Sequence, residues 1–467
     1  MKTTALQGRF IRPPWIGARA VALIMASTFA PCLATGATSS ATPVPQPTQA
    51  QLEASGLAEF PLAPVAQRVD LVAAAFTNST SVNNPLFPIG SLRSVVLNGQ
   101  VDGRVFRVET TLLPETQIIE WVPGQCVRVL VSQYVAYING RLDEVALDLY
   151  AQADDGSVWY FGEEVYNYVD GVIADTDGTW RAGKEGPSAM IMPGVPKVGD
   201  AHRPENIPGL VFEEVAVNQV NQTVAGPRGP VPGAIIAREL HDDGSYSDKT
   251  FAPGYGEFFT SRDGNIEALA LALPTDARPG PAPVDLEAIV DGAQAVFDHV
   301  QAKKWARASA QLAQMNAAWQ RHRGTGAVPT RLIEPMTRAL GHLTSGVTTR
   351  TPHKALQGAL NVEQAGLDLL LQFNPVVEID LDRFLLWLRQ IIADAQNQNA
   401  GGLKGDASTL EWMRDRIAAS LDKTDVTRID RLLKDLRGLV NDENFRGAKA
   451  KARELDQTIT DAATRVH

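Results

Sequence analysis

The sequence predicts an α+β chain in two parts, an antiparallel β-sheet domain (curved sheet, half-barrel or sandwich) followed by an all-α helical bundle. Three observations predict it. Residues 150–199 alternate aromatic and β-branched runs with Asp/Gly turns, residues 274–283 place four prolines within ten positions, and beyond them apolar residues recur at three-four spacing.

The first 37 residues read as a signal peptide. Lys2, Arg9, Arg12 and Arg19 precede any acidic residue, an apolar run covers 20–33, and the small residues Ala34-Thr35-Gly36-Ala37 suit cleavage after Ala37. The run is short for a membrane span. An uncleaved anchor and a lipid on Cys32 are the competing readings. The expectation is a periplasmic or extracellular protein with no transmembrane span after cleavage. Residues 38–64 are rich in Pro, Thr and Ser and read as a disordered tether. Cleavage leaves Cys126 as the one cysteine, expected as a buried small hydrophobe at the start of a strand.

Residues 65–273 form the expected β domain. Within them, 104–111, 117–122, 126–137, 144–150, 234–240 and 249–252 read as strands. Val127, Val129 and Val131 fall on one face and Arg128 and Ser132 on the other, the alternation of a strand with one wet side. Asp154-Asp155-Gly156, Asp170-Gly171 and Asp175-Thr176-Asp177-Gly178 supply turn chemistry between antiparallel strands.

The block from Tyr150-Ala151-Gln152 through Asp155-Gly156-Ser157-Val158-Trp159-Tyr160-Phe161-Gly162-Glu163, with Gly178-Thr179-Trp180 and Met190-Ile191-Met192-Pro193 after it, resembles a family of uncharacterised secreted bacterial proteins. The resemblance covers roughly residues 85–273. It implies export and brings no catalytic residue. This chain departs from the family at His202-Arg203-Pro204-Glu205, where a proline predicts an interrupted strand.

Residues 274–283 are the expected linker and 284–467 the helical bundle. Trp305, Ala308, Leu312, Met315 and Trp319 make one apolar stripe, and Leu381, Phe384, Leu388 and Ile391 another. Breaks are expected at Gly324-Thr325-Gly326, Asn374-Pro375 and Gly401-Gly402. Of the formal net charge of -10, the first 37 residues contribute +4 and residues 284–467 +1, leaving -15 on residues 38–283. An acidic β domain argues against a nucleic-acid partner.

No G-x-S-x-G elbow, H-E-x-x-H pair or phosphate-binding glycine loop is present. His299, His322, His342 and His353 lack metal-ligand spacing, and Asp175-Thr176-Asp177-Gly178 has its glycine too early for a calcium loop, so neither a metal nor a cofactor is expected. Trp305, Trp319, Trp387 and Trp412 sit at stripe positions, where a core role is expected and a pocket wall is the alternative. Two function classes fit. The first is a non-catalytic ligand-binding or structural protein whose partner is an apolar small molecule or another protein. Trp159, Phe161, Tyr166, Tyr168 and Trp180 then either fill the sheet core or wall the cavity. The second is a hydrolase assembled from distant acidic and histidine residues such as Glu163, Glu164 and His202.

Overall fold

The computed structural model describes residues 41–465, so the expected signal peptide lies outside the described residues. A short entry segment comes first: β1 (Thr42–Pro43), α1 (Gln49–Ala54) and β2 (Val72–Ala73), with β1 paired to β2. Fourteen strands follow in one antiparallel sheet. They are β3 (Ser94–Val101), β4 (Arg104–Val122), β5 (Gln125–Ile138), β6 (Arg141–Gln152), β7 (Val158–Val169), β8 (Val172–Asp175), β9 (Trp180–Arg181) and β10 (Ala189–Met192). Then come β11 (Ala201–Ile207), β12 (Val211–Gly226), β13 (Gly229–His241), β14 (Tyr246–Ala252), β15 (Gly256–Arg262) and β16 (Asn265–Leu273).

The strand order is β10-β7-β6-β5-β4-β3-β16-β15-β14-β13-β12-β11, with β8 and β9 on β7. First and last long strands pair in the middle, so the sheet curls like a barrel but is not closed: among the described residues no ladder joins β10 to β11. The proline departure is visible as a register shift between His202 and Glu205.

Two expectations are corrected here. Residues 41–64 are not a free tether: Val44 and Leu57 are buried, Thr48 and Gln51 form a capping box on α1, and the Ala63 amide donates to Glu214 at 2.6 Å. Composition hid these few anchoring residues. Nor is Cys126 a buried unpaired thiol, because it is only half-buried and not free. The other cysteine, Cys32, lies outside the described residues.

Eight further helices follow among the described residues: α2 (Val284–Gln301), α3 (Trp305–Gly324), α4 (Thr330–Thr348), α5 (Pro352–Leu370), α6 (Val376–Gln396), α7 (Ala400–Ile417), α8 (Lys423–Asn441) and α9 (Phe445–Ala463). Both expected stripes are buried apart from half-buried Trp305, with Leu312, Met315 and Trp319 in α3 and Phe384, Leu388 and Ile391 in α6. The expected break at Gly401-Gly402 falls instead inside the first turns of α7. Its glycines serve close approach: a Cβ at Gly171, whose φ is +77°, would lie 2.1 Å from the Gly401 carbonyl oxygen and 2.4 Å from the Gly405 nitrogen. The Asp170-Gly171 hairpin tip thus rests directly on α7.

Sheet and bundle share one hydrophobic cluster, which includes Val135, Tyr137, Val145 and Leu271 from strands and Leu286, Leu367 and Phe384 from helices. The proline-rich connection is docked, with the Arg278 amide donating to the Gln372 carbonyl at 2.7 Å and buried Asp276 accepting from Tyr255 at 2.8 Å.

Buried charge also joins the two parts. Glu109 on β4 accepts from Arg107 at 2.7 Å and from Arg416 of α7, and lies 3.5 Å from Arg383 of α6. Asp368 of α5 binds Arg107 at 2.6 Å and Arg383 at 2.8 Å, while Asp380 sits 3.4 Å from Arg383. Three guanidinium groups thus face three carboxylates. Burial by itself would raise the Glu109 carboxyl, but Arg383, Arg107 and Arg416 together hold it well below the usual carboxylate range.

Candidate functional site

The five aromatics singled out from sequence sit on or beside β7, and a bulge decides where most of them point. Tyr160 pairs with Tyr150, and Glu163 with Asp148, so β7 carries one extra residue there. Gly162, at φ +123°, absorbs it; a Cβ there would lie 2.3 Å from the Trp180 carbonyl oxygen. Simple alternation would put Trp159 and Phe161 opposite Tyr166 and Tyr168. The bulge returns all four to the outer face.

On that face Trp159 and Phe161 are fully buried against Phe76 of the entry segment, with ring centroids 6.5 and 5.5 Å away. Tyr166 tilts against Trp412 of α7 at 5.0 Å, and the Tyr168 hydroxyl accepts from the Trp412 indole at 2.9 Å. Trp180 is buried edge-on to Tyr160 at 5.4 Å. These side chains fill interfaces. None of the five lines either of the two cavities described below.

The residues weighed for hydrolysis do not converge. Glu163 and Glu164 are adjacent on β7 and point to opposite faces, and Glu164 is held by Arg181 at 2.9 Å. His202 is fully buried on β11 among Asp70, Arg68, Asp200 and the Ile191 backbone, and burial pushes its imidazole down to about 4. Asp154 and Asp155 act as turn residues, accepting from Thr77 and Ser157.

The larger cavity is a cleft of about 870 Å³ between the outer face of the sheet and helices α4, α5 and α6. Tyr137 of β5 stacks on Trp387 of α6 at 5.5 Å and 19°, and both line the cleft, so one of the stripe tryptophans does form a pocket wall. Leu360, Ala365 and Leu386 add apolar surface. Polar groups occupy the opposite margin. Gln357 and Gln390 exchange amide hydrogen bonds at 3.1 and 3.0 Å across α5 and α6, Asn361 accepts from Gln357 at 3.1 Å, and Arg107 is fixed by Asp368. Arg331, Arg338 and His342 of α4 also line it. Arg338 is paired with Glu334, whereas Arg331 has no ion pair among the described residues and lies 6.0 Å from the Phe259 ring.

The smaller cavity, about 120 Å³, lies inside the curl of the sheet. Tyr134, Tyr150, Tyr160 and Leu97 line one side, and Glu213, Lys249 and Glu257 another. Lys249 is 3.2 Å from Glu239 and 3.3 Å from Glu257. Burial would lower the Lys249 ammonium, but Glu239, Glu257 and Glu213 raise it well above its ordinary value, so it stays charged. Burial and neighbouring Glu213 raise the Glu239 carboxyl against the pull of Lys249 and His241. His241 was not among the residues singled out from sequence. The available signal was Glu239-Leu240-His241 within a strand, since residues two apart share a face.

Comparison of the chain with protein-family models and with curated proteins finds no match.

Proposed function

We propose that the chain is an exported, non-catalytic binding protein whose ligand lies in the cleft between sheet and bundle. The cleft itself carries this reading: about 870 Å³ is the size of a small-molecule site, and its apolar stacked wall faces a margin of amides and guanidinium groups. Such a surface favours a ligand with a flat or apolar body and one or more hydrogen-bonding or anionic groups. The acidic β region is consistent with a partner other than nucleic acid.

The test uses 1-anilinonaphthalene-8-sulfonate, an aromatic anion of this kind. Wild-type protein is expected to bind it saturably, and Asn361→Trp, which fills the cleft from α5 while leaving the Gln357–Gln390 pair in place, is expected to weaken binding by roughly tenfold or more. Unchanged affinity in a folded Asn361→Trp variant would place the probe elsewhere and sink the proposal.

Export rests on residues 1–37, and it meets the half-buried, non-free Cys126 in one measurement. Intact mass of the protein recovered from outside the cytoplasm should correspond to a chain beginning near Thr38. An intact Met1, or retention of Cys32 with or without lipid, would contradict cleavage after Ala37.

A further inference from the structure

We infer that Glu213, Glu239 and His241 form a site for one divalent transition-metal ion of the zinc class, with a coordination position open toward the cavity inside the sheet. The topology brings the three together. His241 is the ladder partner of Glu213, and Glu239 lies two residues before His241 on the same face of β13. One donor atom from each residue can be chosen so that all lie within 4.8 Å of one another. His241 Nδ1 is 3.6 Å from Glu213 Oε1, and Nε2 is 3.6 Å from Glu239 Oε2. The Nδ1–Glu213 separation is close to the roughly 3.3 Å edge of a tetrahedron built on zinc bonds of 2.0–2.1 Å, while Glu239 approaches from the Nε2 side of the ring and would close on the ion by a side-chain rotation within the 4.8 Å cluster.

A second observation points to a ligand. His241 is fully buried; its Nδ1 faces Glu213 Oε1 at 3.6 Å, beyond a normal hydrogen bond, while Nε2 lies 2.6 Å from Ser247 Oγ. With Nε2–H donating to Ser247, the lone pair falls on Nδ1, toward Glu213; orientation of this kind is how a neighbouring hydroxyl or carbonyl prepares a histidine for a metal. Charge agrees as well. Glu213, Glu239 and Glu257 gather around one ammonium, Lys249, and the nearby Arg262 is already bound to Asp243 at 2.6 Å. When a metal enters, Lys249 remains anchored by Glu257. One nitrogen and two carboxylates suit zinc or its neighbours better than calcium, which takes six to eight oxygens. Glu213 also lines the 120 Å³ cavity, which gives the fourth position room for water or a small ligand.

The competing occupant is a proton, with His241 as an imidazolium between two carboxylates. Full-length mature protein treated with chelator should be titrated with CoCl2 and then ZnCl2. The expected result is one equivalent of Co²⁺ with the intense visible bands of a four- or five-coordinate ion, displaced by Zn²⁺, and a zinc-dependent rise in the thermal midpoint. His241→Ala and Glu239→Gln should abolish the bands, and Ser247→Ala should weaken binding by roughly tenfold. His353→Ala, exposed at the start of α5, should bind like wild type. Should His241→Ala fail to fold, Ser247→Ala and the wild-type spectrum decide. Absence of saturable Co²⁺ binding in wild type, or equal affinity in folded His241→Ala and wild type, would leave only the proton and overturn the site.

Discussion

Glu109→Ala is expected to destabilise the protein by about 3–5 kcal/mol, because it strands three buried guanidinium groups against two remaining carboxylates. Glu109 is 1% exposed and touches Arg107, Arg383 and Arg416, each donated by a different element. Chemical denaturation at neutral pH checks the magnitude. The double variant Glu109→Gln/Arg416→Gln should cost less than the sum of its single changes, since the two groups interact directly. The sign with pH follows from the depressed carboxyl. Its folded value lies below its unfolded one, so Glu109 contributes fully above the ordinary carboxylate range, the contribution declines as pH falls below that range, and it is gone once strongly acid solution protonates the folded state. A loss of stability below about 1 kcal/mol in Glu109→Ala, the range of an exposed ion pair, would mean that the network is hydrated and does not bind sheet to bundle.

Trp159→Ala should be nearly as damaging, by about 3–5 kcal/mol, the usual cost of emptying a large aromatic site in a core. Trp159 has no exposed surface, stands against Phe76, and donates its indole N–H to Ser157 at 2.8 Å. Tyr166→Phe provides the contrast. Its hydroxyl is 3.4 Å from Glu164 at a half-buried position, so the loss should stay under about 1 kcal/mol. Thermal melts of the two variants separate a packing aromatic from a peripheral one. If Trp159→Ala left the midpoint unchanged, the outer face of β7 would not be the packed interface described above.

The fold class was legible because its signals are local. Alternation along 126–137 predicted β5, Asp-Gly turns marked its neighbours, and the stripes around Trp319 and Phe384 marked helices. Strands β3, β12, β15 and β16 were missed; Asn98, Gly99 and Gln100 dilute the first, and the buried alanine-leucine run of β16 reads equally as helix. The ring-like order, in which β3 pairs with β16, joins residues more than 160 positions apart and has no local signature. Site residues were less legible still. Aromatic density marked residues that are largely buried without distinguishing core from cavity wall, and the bulge at Gly162 and the entry segment set which face those rings fill. The cleft draws on Tyr137, Asn361 and Trp387, and the polar group on Glu213 and His241. Only tertiary pairing brings these residues together.

Hydrogen–deuterium exchange with and without 1-anilinonaphthalene-8-sulfonate tests the binding proposal most directly. Slowed exchange is predicted in 98–107 of the sheet and in 330–342 and 357–368 of the bundle, the segments that line the cleft. Protection confined to 87–92 and 158–161, beside the small cavity and the outer face of β7, or no local protection at saturating probe, would contradict a ligand site between sheet and bundle.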